Sequence, residues 1–199
     1  MEKNQYYLMM EREINSLVNE DIRNFALGLL TILPEYFFTA PASSSGKYHP
    51  VNDLGEGGLV RHSISVRNML RHLLKPNGYY DFTDREKELL EVAALFHDGF
   101  KSGSQTDFLA DKHTKCLHPV YMANQIIMES VMQRFNYDDA QFIASAVISH
   151  MGQWNTSWRT PGAALPLPVT PAQKVLHLAD YLASRKDINM TIDETEKGE

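Results

Sequence analysis

The sequence has few of the features that mark secreted, membrane-spanning or polynucleotide-coating proteins. Its single cysteine, Cys116, excludes an internal disulfide and a cysteine-ligated zinc site, so a reducing cytoplasm is the expected compartment. No apolar run approaches the roughly 20 residues of a membrane span, and the first residues lack the layout of a signal peptide. A net charge of −6 argues against non-specific coating of nucleic acid, and no stable duplex binding is expected.

The remaining composition suits one all-α domain. With 199 residues, of which 43% are hydrophobic and 22% charged, the chain can bury a substantial core. Apolar residues recur at spacings of three and four, and we find no internal repeat and no convincing strand. The predicted helices are Tyr7 to Ile32, Leu59 to Leu74, Thr83 to His97, His118 to Arg134, Asp138 or Asp139 to His150, and Pro171 to Lys186.

Two of these helices begin with clear capping signals. Thr83 and Glu86 are spaced as a capping box, in which each side chain binds the backbone N–H of the other. Thr170 as N-cap, with Pro171 in the first helical position, is typical of the start of a helix. These signals predict where the third and the last helix begin.

Loops and polar stretches suggest how the chain is organised. We expect residues 1–49 to form a helix and loop that pack on the domain, 50–187 to form the domain, and 188–199 to be a polar tail. The loop Gly99–Leu117 is long enough to suggest function rather than mere connection. This loop and the loop Met151–Thr170 flank candidate metal ligands and could roof a pocket.

The stretch from Ala93 to Lys101 gives the first indication of function in the sequence. An apolar helical run ends there in His97 and Asp98, and a buried helix rarely ends on two polar side chains unless something binds them. The pair alone is weak support, because most such pairs are surface or capping residues. Four more His or Asp residues are each set into an apolar helical face, namely His62, His118, His150 and Asp180.

Five helices would therefore each point a polar group into the core. An unpaired buried charge is very costly, so these groups should satisfy one another or share a cation. The alternative is a set of separately hydrogen-bonded core residues. Imidazoles and carboxylates without a thiolate suit Mn²⁺, Fe²⁺, Co²⁺, Ni²⁺ or Zn²⁺ better than Ca²⁺. We therefore expect a metal-dependent hydrolase of phosphate esters.

Taken in order, these motifs resemble the HD superfamily of metal-dependent phosphohydrolases. The resemblance covers roughly residues 50 to 187 and implies a single helical bundle with a metal site between core helices. It is carried by Gly57-Gly58-Leu59-Val60-Arg61-His62-Ser63, His97-Asp98-Gly99-Phe100-Lys101, His118-Pro119, His150 and Asp180.

The resemblance also implies a role for each ligand. A first metal ion would be held by His62, His97, Asp98 and Asp180. Asp98 would bridge to a second ion held by His118 and His150, which resemble the extra ligands of binuclear members, including HD-GYP cyclic-dinucleotide phosphodiesterases and di-iron oxygenases of this fold. The two ions would lower the pKa of a bridging water, so that metal-bound hydroxide attacks the phosphate ester.

A closer likeness lies in the Gly-Gly-Leu before His62 and in the stretch from Leu176 to Arg185. Both are similar to the HD domain of bacterial 3′→5′ exoribonucleases, which also carry an OB-fold domain. We expect no room here for that OB fold, which argues against processive exonuclease action. A Gly-Tyr-Pro motif is also missing, so cyclic dinucleotides are not specifically implied. Gly99 and Phe100 stand where the family often has isoleucine-glycine, with little consequence expected for the ligands.

The candidates for contact with substrate are Lys101, Arg185 and Trp154, together with Trp158 from the same loop as Trp154. Lys101 could contact a phosphate or orient the Asp98 carboxylate, or it could be a solvated loop lysine. Arg185 could clamp a phosphate, although helix C-termini favour cations in any case. Trp154 and Trp158 could stack on a nucleobase, or they could simply pack their Pro-rich loop onto the body.

The other histidines are not expected to be ligands. His177 is interpreted as a hydrogen-bonded core histidine and His72 as a solvated residue. His49 and His113 lie in loops that could line the mouth of the site.

Three classes of function follow. The leading hypothesis is a phosphohydrolase of a nucleotide, or a phosphodiesterase of small or single-stranded nucleic acid, with Asp98 and Lys101 catalytic. Its partners would be a phosphorylated small molecule, a nucleotide or a short oligonucleotide, without a membrane; a 3′→5′ exonuclease is an alternative. The second class is a di-iron oxygenase on the same scaffold. The third, a non-catalytic module with a structural metal, is disfavoured by the complete ligand set.

Overall fold

In a computed structural model, helices make up almost all of the regular structure. The structure describes residues 4–43, 46–47, 49–75, 81–103, 117–157 and 160–188. In these ranges lie the helices α1 (Gln5–Asn15), α2 (Glu20–Ile32), α3 (Gly58–Leu73), α4 (Asp84–Phe96), α5 (His118–Met132), α6 (Tyr137–Ile148) and α7 (Pro171–Ala183). Short 3₁₀ turns occupy Glu35–Phe38, Val51–Asp53 and Gly152–Trp154. The predicted all-α domain is confirmed.

Helix α4 lies at the centre of the bundle. It packs against α2, α3, α6 and α7, while α5 packs on α2 and α6. Its last five residues, from Val92 to Phe96, are fully buried and join one apolar core to which all seven helices contribute. The residues that follow α4, His97 and Asp98, are consequently buried as well.

Both predicted capping signals are present. Thr83 accepts a hydrogen bond from the backbone N–H of Glu86, whose carboxylate accepts one from Thr83 at 2.8 Å. Thr170 forms the same kind of box with Gln173, a partner that the sequence analysis did not identify. These contacts satisfy backbone donors that have no partner within the helix, which fixes the starts of α4 and α7.

The prediction of one helix from Tyr7 to Ile32 is wrong, because the chain forms α1 and α2 with a turn between them. Glu88 of α4 accepts hydrogen bonds from the backbone N–H groups of Val18 and Asn19, at 3.0 and 2.9 Å. The Asn19 side chain in turn caps α2. A contact with a distant helix therefore overrides the local apolar periodicity.

The other helices begin and end near their predicted positions, with small corrections. Helix α6 is capped by Asn136, which accepts from the N–H of Asp139 at 3.0 Å, and not by Asp138 or Asp139. Both aspartates instead lie in the first turn, where a negative charge is favourable. Helix α7 ends at Ala183, before the predicted Lys186.

The expectation of no strand is wrong for the segment after α6. There β1 (Thr156–Ser157) pairs antiparallel with β2 (Thr160–Ala163) in a short hairpin. The two strands are too short to produce a readable alternation of apolar and polar residues.

Some sequence predictions fall outside the described residues. They concern the middle of the loop after α4 (residues 104–116, with His113 and Cys116), Trp158, and the polar tail from residue 189. None of the helices in the described part of the chain combines the length and apolar composition that crossing a bilayer requires.

Arg67 of α3 joins three helices through a buried ion-pair network. Its side chain is fully buried and donates to Glu91 of α4 at 2.8 Å and to Ser16, just after α1, at 2.7 Å. It also pairs with Glu13 of α1. Because both carboxylates are largely buried, they depend on the guanidinium for compensation.

We predict that Arg67→Met lowers the free energy of unfolding by about 3–5 kcal/mol, the usual cost of leaving buried charges without their partner. The matched control is Arg71→Met, since Arg71 contacts the same Glu91 at 2.9 Å but remains 45% exposed. That change should cost about 1 kcal/mol or less. Urea unfolding measures both, and equal losses would contradict a central role for Arg67.

Candidate metal centre

Five helices bring six polar side chains together beside the C-terminal end of α4. His62 lies on α3, His97 and Asp98 directly follow α4, and His118 is the first residue of α5. His150 follows α6, and Asp180 lies on α7. We call this set the His/Asp cluster; it consists of His62, His97, Asp98, His118, His150 and Asp180. Five members are buried, and Asp180 keeps 21% of its side-chain exposure.

One half of the His/Asp cluster surrounds Oδ2 of Asp98 and Oδ1 of Asp180. The Nε2 atom of His62 lies 3.1 Å from Asp180 Oδ1 and 3.9 Å from Asp98 Oδ2. The Nε2 atom of His97 lies 3.7 and 3.5 Å from the same two oxygens. These are the four residues to which the sequence resemblance assigned the first metal ion.

The other half surrounds the second oxygen of the same carboxylate. Asp98 Oδ1 lies 2.8 Å from Nε2 of His118 and 3.7 Å from Nε2 of His150. The two imidazole nitrogens lie 3.3 Å apart. The two oxygens of Asp98 thus face two different sets of nitrogen atoms.

The ring orientations suit metal binding. The Nδ1–H of His97 donates to the Ala94 carbonyl at 2.8 Å, and that of His150 donates to the Val147 carbonyl at 2.7 Å. Each ring therefore turns Nε2 towards the cluster. Nε2 of His97 is buried without a hydrogen-bond partner among the described residues. Leaving a buried polar atom without a partner costs free energy.

The spacing of the ligand atoms also fits a cation. Within the His/Asp cluster, three groups of three residues offer ligand atoms that all lie within 4.8 Å of one another. They are His62 with His97 and Asp98, His97 with His150 and Asp180, and Asp98 with His118 and His150. Nitrogen and carboxylate oxygen donors without sulfur match divalent transition metals.

The protonation equilibria in the cluster are strongly shifted. Burial lowers the pKa of His62, but its contacts with the carboxylates of Asp180 and Asp53 outweigh burial and raise that pKa to about 9. Burial lowers the pKa of His97 to about 4. For Asp98, burial acts to raise the pKa, but the charges of Lys101 and His97 offset it and hold the pKa well below its usual range. A metal ion would therefore displace a proton mainly from His62.

Lys101 pairs with the Asp98 carboxylate. Its Nζ atom contacts Oδ2 of Asp98, and the side chain is 15% exposed. Of the three sequence-based interpretations, this position agrees with the one in which Lys101 orients Asp98.

Trp154 and Arg185 both contact Tyr181, the residue after Asp180. The Trp154 ring stacks on Tyr181 with centroids 5.7 Å apart and planes 17° from parallel. The Arg185 guanidinium lies 4.6 Å from the centre of the Tyr181 ring. Tyr181 directly follows the partly exposed Asp180 on α7.

The histidines outside the His/Asp cluster were predicted only in part. His177 donates from Nδ1 to the His150 carbonyl at 2.8 Å, so it is hydrogen-bonded as predicted, but it is only partly buried and not a core residue. His72 is exposed as predicted. His49, however, lies 3.5 Å from Asp53, a buried carboxylate that the sequence analysis did not single out.

The paired glycines explain how Asp53 reaches the cluster. Gly57 adopts a φ of +69°, in the left-handed region that favours glycine. A Cβ on Gly58 would lie 2.1 Å from the carbonyl oxygen of Asp53, so only glycine allows the Val51–Asp53 turn to cross the start of α3. The Gly-Gly pair was the one sequence signal of this approach.

Comparison with known proteins assigns the chain to a family. The HD domain family matches residues 53–185, more than half of the chain, and this range contains the whole His/Asp cluster. Neither the curated proteins nor the solved structures gave a match. The closer likeness to exoribonuclease HD domains gains no support from these comparisons and stays a prediction. By the family match, the chain belongs to the HD domain family, within the superfamily of metal-dependent phosphohydrolases.

Proposed function

We propose that this protein hydrolyses the phosphate ester of a nucleotide or a short oligonucleotide at a binuclear divalent-metal centre. One observation carries the proposal: the two oxygens of the buried Asp98 carboxylate face separate sets of imidazole nitrogens. His62, His97 and Asp180 would complete one metal site. His118 and His150 would complete the other, with Asp98 bridging.

The chemistry follows from the residues that would surround the substrate. Bound divalent cations supply Lewis acidity, which makes water nucleophilic near neutral pH and neutralises phosphoryl oxygens. The cluster excludes bulk water from five of its six ligands, which strengthens every charge interaction inside it. Lys101, paired with Asp98, would hold the carboxylate in place and present positive charge to a phosphoryl oxygen.

Substrate recognition is proposed at the edge where Asp180 is partly exposed. Trp154 is 44% exposed while one side of its ring stacks on Tyr181. A nucleobase could stack on the outer face, because base–aromatic stacking contributes about 1–3 kcal/mol per base. Arg185, held over the Tyr181 ring, would place a second positive charge near a phosphate.

The function is tested by removing metal with a chelator, adding single metals back and screening a panel of phosphate esters. Release of inorganic phosphate would identify a phosphatase, and release of a nucleoside monophosphate a diesterase. The screen should be run with Mn²⁺ under anaerobic conditions as well. Turnover that requires both iron and oxygen would replace this proposal with the oxygenase hypothesis.

The first prediction from the proposed function concerns the Asp98 carboxylate. Asp98→Ala should release metal and lower hydrolysis by about 10³-fold or more, the scale expected when a member of a catalytic unit is lost. Asp84→Ala is the control, since Asp84 is 99% exposed at the start of the same helix. Metal content by elemental analysis and initial rates give the result. Full activity with unchanged metal content in Asp98→Ala would exclude the proposed centre.

The second prediction concerns stoichiometry. The wild-type protein should titrate to two metal ions per chain, and His118→Ala or His150→Ala should lower the value towards one while the fold persists. His72→Ala, which removes an exposed imidazole from α3, should leave it at two. A wild-type plateau at one ion, unaffected by these changes, would indicate a mononuclear centre instead.

The third prediction concerns substrate size. Binding of a long polynucleotide strengthens with each phosphate neutralised, and a chain with a net charge of −6 has little capacity for this. Initial rates should therefore be higher on a nucleotide or dinucleotide than on a single strand of about twenty nucleotides. Faster, processive degradation of the long strand would favour the exonuclease alternative.

A further inference from the structure

A seventh polar residue contacts the His/Asp cluster from outside. Asp53, only 1% exposed, ends the Val51–Asp53 turn, and its Oδ2 atom lies 3.4 Å from Nδ1 of His62. The same oxygen lies 3.5 Å from Nδ1 of His49. Both distances exceed an ordinary hydrogen bond, and neither Asp53 Oδ2 nor His62 Nδ1 has a hydrogen-bond partner elsewhere in the described residues.

The turn that carries Asp53 is fastened to the start of α3. The Asp53 carbonyl accepts from the backbone N–H of Ala42 at 3.0 Å. Arg61 of α3 donates to the carbonyls that flank Asp53, those of Asn52 and Leu54. The position of the carboxylate beside His62 is therefore fixed by backbone contacts that do not involve its own side chain.

The other proposed ligand histidines show that the Nδ1–H of His62 needs a hydrogen-bond acceptor. His97 and His150 each donate Nδ1–H to a carbonyl in the last turn of the preceding helix, where carbonyls lack helical partners. His62 lies inside α3, where the neighbouring carbonyls accept from the helix backbone. It therefore requires an acceptor from another part of the chain, and Asp53 occupies that place.

We propose that Asp53 is a positioning residue for His62. It accepts the Nδ1–H of the ring, which fixes the tautomer and leaves the lone pair of Nε2 for the cation. The inference rests on the metal centre of the proposed function. A carboxylate in this position also makes the imidazole a stronger ligand than a carbonyl would. His49 approaches the same carboxylate oxygen of Asp53.

A further cation between His49, Asp53 and His62 is the competing interpretation, because their ligand atoms also lie within 4.8 Å of one another. His62 would then have to bind metal through both nitrogens and give up both ring protons. A hydrogen bond needs no such double deprotonation, and closing the 3.4 Å gap by about 0.5 Å would form it.

The test compares Asp53→Ala with Asp53→Asn in the full-length protein, using Co²⁺ as the probe. Asp53→Ala should raise the Kd for Co²⁺ by about 10–100-fold without changing the number of ions bound. Asp53→Asn keeps an acceptor oxygen, so it should lose less affinity. In metal-free protein, at a pH high enough to leave the His62 ring neutral, ¹⁵N NMR of the histidine rings should show His62 protonated at Nδ1 in the wild type and in Asp53→Asn, but not in Asp53→Ala.

The controls separate positioning from folding. Urea unfolding should show that Asp53→Asn stays folded, so that its affinity can be interpreted even if Asp53→Ala does not fold. Asp84→Asn, the same change at an exposed position, should leave the Kd unchanged.

Each remaining outcome decides between the interpretations. An unchanged Kd and an unchanged His62 tautomer in a folded Asp53→Ala would overturn the positioning role while leaving the phosphohydrolase proposal intact. Loss of one bound ion in both Asp53→Ala and His49→Ala would overturn it in favour of the further cation. If Asp53→Ala weakens Co²⁺ binding but the wild type hydrolyses no phosphate ester, the positioning role of Asp53 would be supported and the proposed function refuted. A wild type that binds no metal would refute both.

Discussion

The burial of the Asp98 carboxylate is the constraint on which the rest of the structure depends. Moving a carboxylate out of water is costly unless nearby charges and donors replace its hydration. Here Lys101 and His118 contact its two oxygens, and three further histidines stand within 4 Å. Helix α4 places this carboxylate in the middle of an apolar bundle, and α3, α5, α6 and α7 each bring a polar side chain to the same point.

Helix ends provide most of those side chains. His118 begins α5, while His97 and His150 follow the last residues of α4 and α6. At a helix C-terminus the last carbonyls have no partner within the helix, and here they receive the Nδ1–H groups of His97 and His150. The same hydrogen bonds satisfy the helix ends and direct Nε2 into the cluster. Folding and ligand orientation are thus achieved by one set of contacts.

The grouping of the His/Asp cluster could be predicted because the sequence places each member in a local pattern. A histidine or aspartate in an otherwise apolar helical stripe is visible from spacing alone, and the capping residues Thr83 and Thr170 mark where two of these helices start. What could not be predicted depends on contacts between distant segments. Glu88 interrupts the first predicted helix through two backbone N–H groups, and Arg67 becomes buried because carboxylates on two other helices approach it.

Asp53 shows the same limit within the functional site. It lies in a loop without periodicity, and its role depends on a backbone approach that only the Gly57-Gly58 pair permits. Glycine pairs are common in loops and do not reveal which residue crosses them. The packed structure is required to see that a carboxylate arrives there.

The exposure of the cluster is uneven, and this asymmetry bears on how a substrate would approach. His118 and His150 are buried, whereas Asp180 is partly exposed and is followed directly by Tyr181. Tyr181 carries Trp154 on its ring and Arg185 within cation–π distance. Under the proposed function, a phosphate ester would enter at this partly exposed side, where Arg185 offers positive charge and Trp154 an aromatic face. One tryptophan can stack only one base on its outer face. The proposed site would therefore suit a substrate with one or two bases better than a long strand.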